Sequence, residues 1–112
     1  MSPGEMFWVE FPARGGRAQA GRRPAISIQK DNTLPTVFLV PLTTQQDALR
    51  FSGTILIEPD QHNRLRQISV ALVFQLTAVD KNFIKDKIGT ISDNKMKEIW
   101  MAFDELTGRK NV

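Results

Sequence analysis

The chain has 112 residues, 41% of them hydrophobic, and no cysteine, a composition that suits one globular domain over residues 1–112 and excludes a disulfide framework, a thiolate metal site and a thiol nucleophile. Its formal charge of +3, from 15 Lys and Arg against 12 Asp and Glu, is too small to diagnose nucleic-acid binding by itself. No apolar stretch reaches membrane-spanning length, and the opening MSPGEMFWVEF lacks the basic lead and long apolar run of a secretory signal, so a cytoplasmic domain is expected.

In chain order, Met6 to Phe11 alternates, with Phe7, Val9 and Phe11 on one face and Met6, Trp8 and Glu10 on the other, as a half-buried strand does. Trp8 lies within this strand and reads as core rather than as a stacking platform. The next residues, PARGGRAQAGRR, have glycines, a proline and no periodicity, and read as a mobile loop from Pro12 to Arg22. Arg14, Arg17, Arg22 and Arg23 fall here within ten residues that contain no acid; such a cluster is either a solvated loop or a phosphate-recognition element. Pro24 closes the loop, and Ala25 to Lys30 alternates again.

Thr36 to Val40 and Val70 to Phe74 are continuous apolar runs, which predict central strands covered on both faces. Thr54 to Glu58 and Lys87 to Ile91 predict shorter strands. The polar stretch PDQHNRLRQ carries Arg64, Arg66 and the sole histidine, His62, and reads as a surface hairpin. From Ser92 onward the period changes: Met96, Ile99, Trp100, Phe103 and Leu106 recur at steps of three and four, the stripe of an amphipathic helix packed on the sheet. Ser92 or Asp93 suits its N-cap and Gly108 its C-terminus.

The catalytic inventory is short. One histidine cannot share acid and base duties with a second. No HExxH, Cys-Cys or clustered Asp motif predicts a metal site, so neither metal nor cofactor is expected. The glycine loop lacks phosphate-loop and dinucleotide spacings, and no serine lies in a GxSxG setting. Arg, Thr and Gln remain.

These residues carry a resemblance. GEMFWVEFPARGGRAQAGRRPAISIQKD resembles the opening of the MazF/PemK-type toxins of toxin–antitoxin systems: a strand, a glycine-bearing loop ending Q-A-G-x-R-P, then an apolar strand. LPTVFLVPLTTQ is similar to the family's apolar strand with its T-T-Q ending, and SVALVFQLTAVDKNFIKDKIGTIS to its central strand, glutamine and last strand before the terminal helix. The resemblance implies a mainly β fold with a C-terminal helix, a small SH3-like β-barrel of the CcdB/PemK type. It also implies a homodimer that cuts single-stranded RNA at short sequences without a metal and is silenced by a cognate antitoxin with an acidic, disordered tail. Arg23 and Thr43 match the family's catalytic positions.

The chemistry suits those residue types. The ribose 2′-hydroxyl attacks the adjacent phosphorus, leaving a 2′,3′-cyclic phosphate and a 5′-hydroxyl, and charge builds on the phosphoryl oxygens. A guanidinium is a permanently charged fork of donors matched to phosphate, and Pro24 restricts Arg23 to extended conformations at the strand mouth. Gln19, Arg22, Thr44, Gln45 and Gln75 adjoin these motifs with amide, hydroxyl or guanidinium groups suited to RNA contact. The acid–base half is less complete. Phe74 stands where some relatives carry an acid and Ala18 where many have glutamate, leaving Glu10, Asp31 and His62 as substitutes. Two other readings stay open: a gyrase poison of the CcdB type, whose tryptophan-glycine-isoleucine ending ELTGRKNV lacks, and an RNA- or peptide-binding module of the same fold.

Overall fold

A computed structural model describes residues 2–12 and 21–109. Most of the expected mobile loop, including Arg14, Arg17, Ala18 and Gln19, lies outside them. Among the described residues there are seven strands, β1 (Glu5–Phe11), β2 (Gly21–Ser27), β3 (Thr36–Thr43), β4 (Thr54–Ile57), β5 (Ser69–Leu72), β6 (Thr77–Asp80) and β7 (Ile84–Thr90), followed by one helix, α1 (Asp93–Thr107). The strand order is β4-β5-β3-β2-β1-β7, with β6 also paired to β3, and the pairings are antiparallel. This is the expected mainly β fold with a C-terminal helix. The sheet is not closed: β4 and β7 end the hydrogen-bonded path, and α1 packs against β4.

Both faces of the sheet are covered, which alters the reading of β1. Val9 and Phe11 pack with Ala25, Val37, Leu39 and Val79, and Phe7 lies against them, as alternation requires. Met6, on the other face with Trp8 and Glu10, is fully buried in the larger cluster with Ile26, Val40, Leu42 and Ile99. Trp8, expected in the core, is 36% exposed. The physical reason is the helix: α1 covers the Met6 end of that face, while the Trp8 end extends beyond it and faces solvent.

β3 is the organising strand. One edge pairs with β2; the other pairs first with β6 through Thr36–Leu39 and then with β5 through Leu42 and Thr43. Residues 69–80 therefore run along β3 as one antiparallel partner with an interruption. That interruption is a 3₁₀ turn, Val73–Gln75, closed by the Leu76 N–H donating to the Val73 carbonyl at 3.0 Å. The predicted strand Val70 to Phe74 thus stops at Leu72: Val73 stays buried, but Phe74 turns outward to 40% exposure, its ring 5.6 Å from that of Phe51. The run from Thr36 is likewise covered on both faces only beyond Phe38, which is 51% exposed.

The helix starts where a cap is available, since the Ser92 hydroxyl accepts from the Lys95 N–H at 3.2 Å. It ends at Gly108, whose φ of 71° is left-handed, a conformation that glycine adopts without a Cβ clash. Ile99 and Ala102 are its buried apolar residues, with Met96 and Phe103 partly buried. Trp100 and Leu106, expected in the stripe, are exposed. The stripe is wider than the strip of sheet beneath it, because β4 has only four residues to offer.

Candidate active site

Arg23 and Thr43 are separated by twenty residues in sequence and brought together by strand register. Ala25 lies opposite Pro41 across β2 and β3; continuing that antiparallel register by two residues sets Arg23 opposite Thr43. Their side chains share a face, because directly opposed residues do. Both line a cleft of about 700 Å³, together with Gln45 and Gln75. Four of the expected site residues therefore meet in one place. Thr44 and Arg22 line an adjoining cavity of about 400 Å³ that Arg23 and Thr43 share. Gln19 falls outside the described residues.

The geometry of Thr43 is specific. Its side chain is nearly buried, and its Oγ1 accepts from the Gln45 N–H at 3.2 Å. That bond uses one lone pair and leaves the hydroxyl its proton to donate. Arg23 is half-buried, so its charge acts in a medium less polar than water, where electrostatic interactions are stronger. Pro24, opposite Trp8 in the β1 register, fixes the backbone on its C-terminal side.

Sequence reading did not place Asp47, Arg50 and Phe51 in the cleft, which they also line. They come from the 3₁₀ segment Gln46–Arg50 and its C-cap, directly after the T-T-Q motif. The i, i+3 spacing of Asp47 and Arg50 was the available signal, and the two form a 3.4 Å ion pair. Arg50 also sits over the Phe51 ring at 4.7 Å. Phe74 contributes an apolar wall to the cleft. The substitutes named from sequence do not meet the cleft: Glu10 lies opposite Arg22, Asp31 follows β2, and His62 is exposed in a turn, as its polar context predicts. Among the described residues no group of three or more His, Asp or Glu side chains is placed to hold a metal ion.

The model of a family described as PemK-like, MazF-like toxin of type II toxin–antitoxin system matches residues 2–107. The chain belongs to this family. An endoribonuclease MazF from Staphylococcus saprophyticus is 32% identical over 115 residues, covering 100% of this chain and 95% of that protein. Among solved structures, MazF from Deinococcus radiodurans superposes with a TM-score of 0.81 at 19% identity over 96% of each chain. A mycobacterial endoribonuclease in complex with its cognate antitoxin superposes at 0.77 and 16% identity, covering 100% of this chain and 99% of that one. At such identities the structural likeness speaks for the fold; membership of the PemK/MazF-like toxins rests on the family match and the staphylococcal relative. Among the described residues no helix is long and apolar enough to cross a membrane.

Proposed function

We propose that this PemK/MazF-like toxin is a sequence-specific endoribonuclease that cuts single-stranded RNA by attack of the ribose 2′-hydroxyl on the neighbouring phosphorus, with no metal ion. The observation that carries this reading is the meeting of Arg23 and Thr43 in one cleft. The guanidinium neutralises charge developing on the phosphoryl oxygens, and the Thr43 hydroxyl in the cleft wall donates to the same group. The substrate supplies the nucleophile, so no serine or cysteine is required. Bond making and breaking balance within the RNA: the 2′-oxygen bonds to phosphorus, the 5′-oxygen leaves, and one proton passes from the first oxygen to the second.

Arginine is a poor base, since it keeps its proton at any working pH. Asp47 is the carboxylate that lines the cleft, and it takes the role that Phe74 cannot. Its partner Arg50 supplies further positive charge beside the phosphate. Gln45 and Gln75 in the cleft and Arg22 and Thr44 beside it provide amide, hydroxyl and guanidinium groups for base and phosphate contacts, with Gln19 assigned to the same task from its motif.

The toxin acts in the cytoplasm, where its RNA is, as a homodimer held in check by an antitoxin. The mycobacterial relative is an endoribonuclease in complex with its cognate antitoxin, and a disordered acidic tail suits a groove lined by Arg22, Arg23 and Arg50. Exposed Leu49, Phe51, Phe74 and Leu106 supply apolar surface for a second copy. The non-catalytic readings leave the Arg23–Thr43 juxtaposition without a task.

The deciding experiment uses RNA whose cleavage site has been mapped by sequencing the new ends. Cutting is expected to persist in excess EDTA, to leave a 2′,3′-cyclic phosphate, and to stop when the nucleotide 5′ to the scissile phosphate is 2′-deoxy. Normal cutting of the deoxy substrate, or activity lost to EDTA and restored by magnesium, overturns the reading.

A further inference from the structure

We propose that a second nucleotide of the RNA, flanking the scissile phosphate, stacks on Trp8 in a basic bay built by Arg22, Arg64 and Arg66; this rests on the endoribonuclease reading above. Trp8 is a large apolar side chain left at the surface of β1, and the guanidinium of Arg22 lies 5.5 Å from its ring centroid. Residues 22 and 23 are neighbours in an extended strand and so point to opposite faces. Arg23 thus serves the cleavage cleft, whereas Arg22 shares the face of Trp8 and Pro24. The bay is a cavity of about 620 Å³ to which Arg64, Arg66 and Gln67 also contribute. Among the described residues its lining includes no carboxylate, and Glu10 lies opposite Arg22 at its edge in the register.

The loop that delivers Arg64 and Arg66 is built, not slack. Asn63 is 1% exposed. Its Oδ1 accepts from the N–H groups of Asp60 (3.1 Å) and Leu65 (2.9 Å), and its Nδ2 donates to the Glu58 carbonyl at 2.9 Å. Asp60 Oδ1 accepts from the N–H groups of His62 (2.8 Å) and Asn63 (2.7 Å), and the Arg64 N–H donates to the Asp60 carbonyl at 3.0 Å. The loop is docked on β7, where the Thr90 N–H donates to the His62 carbonyl at 3.0 Å. Within it Arg64 adopts a φ of 57°, a left-handed conformation that costs a non-glycine residue free energy. Three arginines line one cavity with a partly exposed indole, an arrangement that suits an anionic ligand with a flat face.

The bay and the cleavage cleft are continuous. The smaller cavity between them shares Arg23 and Thr43 with the cleft and Arg22, Pro24, Thr44 and Ser69 with the bay. A strand of RNA repeats a planar base and an anionic phosphate, and this path offers cations at both ends with an indole at one. Stacking on aromatic groups combined with cations along the backbone is how single strands are held. An acidic peptide would use the arginines but leave the indole face idle.

The test is a binding cycle on an oligonucleotide of about 12 nucleotides that carries the mapped cleavage sequence, a single 2′-deoxy block at the cut and a fluorescent end label. Each flanking base is removed in turn as an abasic site, and affinity is read by anisotropy. For the unaltered protein one flanking position is expected to lose about tenfold in affinity when its base is removed. Trp8→Ala should lose a similar factor on the intact sequence and then be indifferent to that abasic site, and Trp8→Phe should recover most of the loss. The double variant Arg64→Asn, Arg66→Gln, in which asparagine tolerates the left-handed backbone, should flatten the slope of log affinity against log salt by about 1.4. If the Trp8→Ala and abasic losses multiply at every position, the stacking assignment is wrong. If Trp8→Ala leaves RNA affinity unchanged and weakens only a synthetic acidic antitoxin peptide, the bay belongs to the protein partner and the proposal fails. Should the protein cut no RNA, the endoribonuclease reading fails by itself. Trp8 fluorescence in a Trp100→Phe variant, titrated with a random-sequence RNA of the same length, then decides the bay: quenching supports it and an unchanged signal overturns it.

Discussion

Arg22 and Arg23 are adjacent in β2 and serve opposite faces of the sheet: Arg22 stands over the Trp8 ring at 5.5 Å, while Arg23 lines the cleft with Thr43. The pleat makes one dipeptide serve two sites. It also places a cation on either side of the strand mouth, along the proposed RNA path.

Arg23→Lys keeps the charge and loses the planar fork. Cleavage is expected to fall on the order of 100-fold or more, chiefly in kcat, because the second donor matters most when charge has built on the phosphoryl oxygens. Single-turnover cutting of the mapped substrate measures it. Full activity in the lysine variant removes Arg23 from the transition state.

Asp47→Asn removes a base and retains the size of the side chain. The expected loss is roughly 10²- to 10⁴-fold in kcat. A parallel Asp47→Glu variant should keep part of the rate. An unchanged rate in the asparagine variant would assign proton removal to solvent.

Asp60 links pH to the bay. Hydrogen bonds from the backbone amides of Asn63 and His62 hold its carboxyl below the ordinary aspartate range. A depressed folded-state value contributes stability that is fully present above the unfolded value, about pH 4, and is lost as pH falls through the folded one. Urea unfolding measured between neutral pH and about pH 2 should therefore show a steeper acid loss in the native sequence than in Asp60→Asn. Glu5, also depressed, mainly by its hydrogen bond with Lys87, changes both proteins alike and cancels in the comparison. Identical curves would show that Asp60 does not hold the loop.

Gly89→Ala tests the docking of the same loop on β7. A Cβ at Gly89 collides with the His62 carbonyl oxygen and meets the Asn63 carbonyl oxygen at 2.8 Å, both backbone atoms that cannot rotate away. The expected cost is about 1–3 kcal/mol, as for other overpacked sites, visible as a lower Tm in thermal unfolding. RNA affinity should weaken with it, because the loop that carries Arg64 and Arg66 must lift. A variant of unchanged Tm and affinity would mean that the loop is not seated as described.

What could be read without the structure was local. Period-two alternation located β1 and the Ala25–Ser27 part of β2, whose start at Gly21 falls in the expected loop and which stops short of Lys30; the change to helical period located α1, and Ser92 and Gly108 marked its ends because capping depends on a few adjacent residues. The pair Arg23 and Thr43 was legible from short motifs. Tertiary structure decided the rest. Whether Trp8 is covered depends on how far α1 reaches along the sheet. Whether Phe74 continues a strand depends on β3 exchanging β5 for β6 along one edge. Asp47 enters the cleft only because the 3₁₀ segment after β3 folds back over it. Arg64 and Arg66 meet Trp8 only because a loop more than fifty residues away in sequence docks on β7 and is held by buried Asn63. Periodicity reports which residues share a face of one element, and says nothing of which faces the chain later brings together.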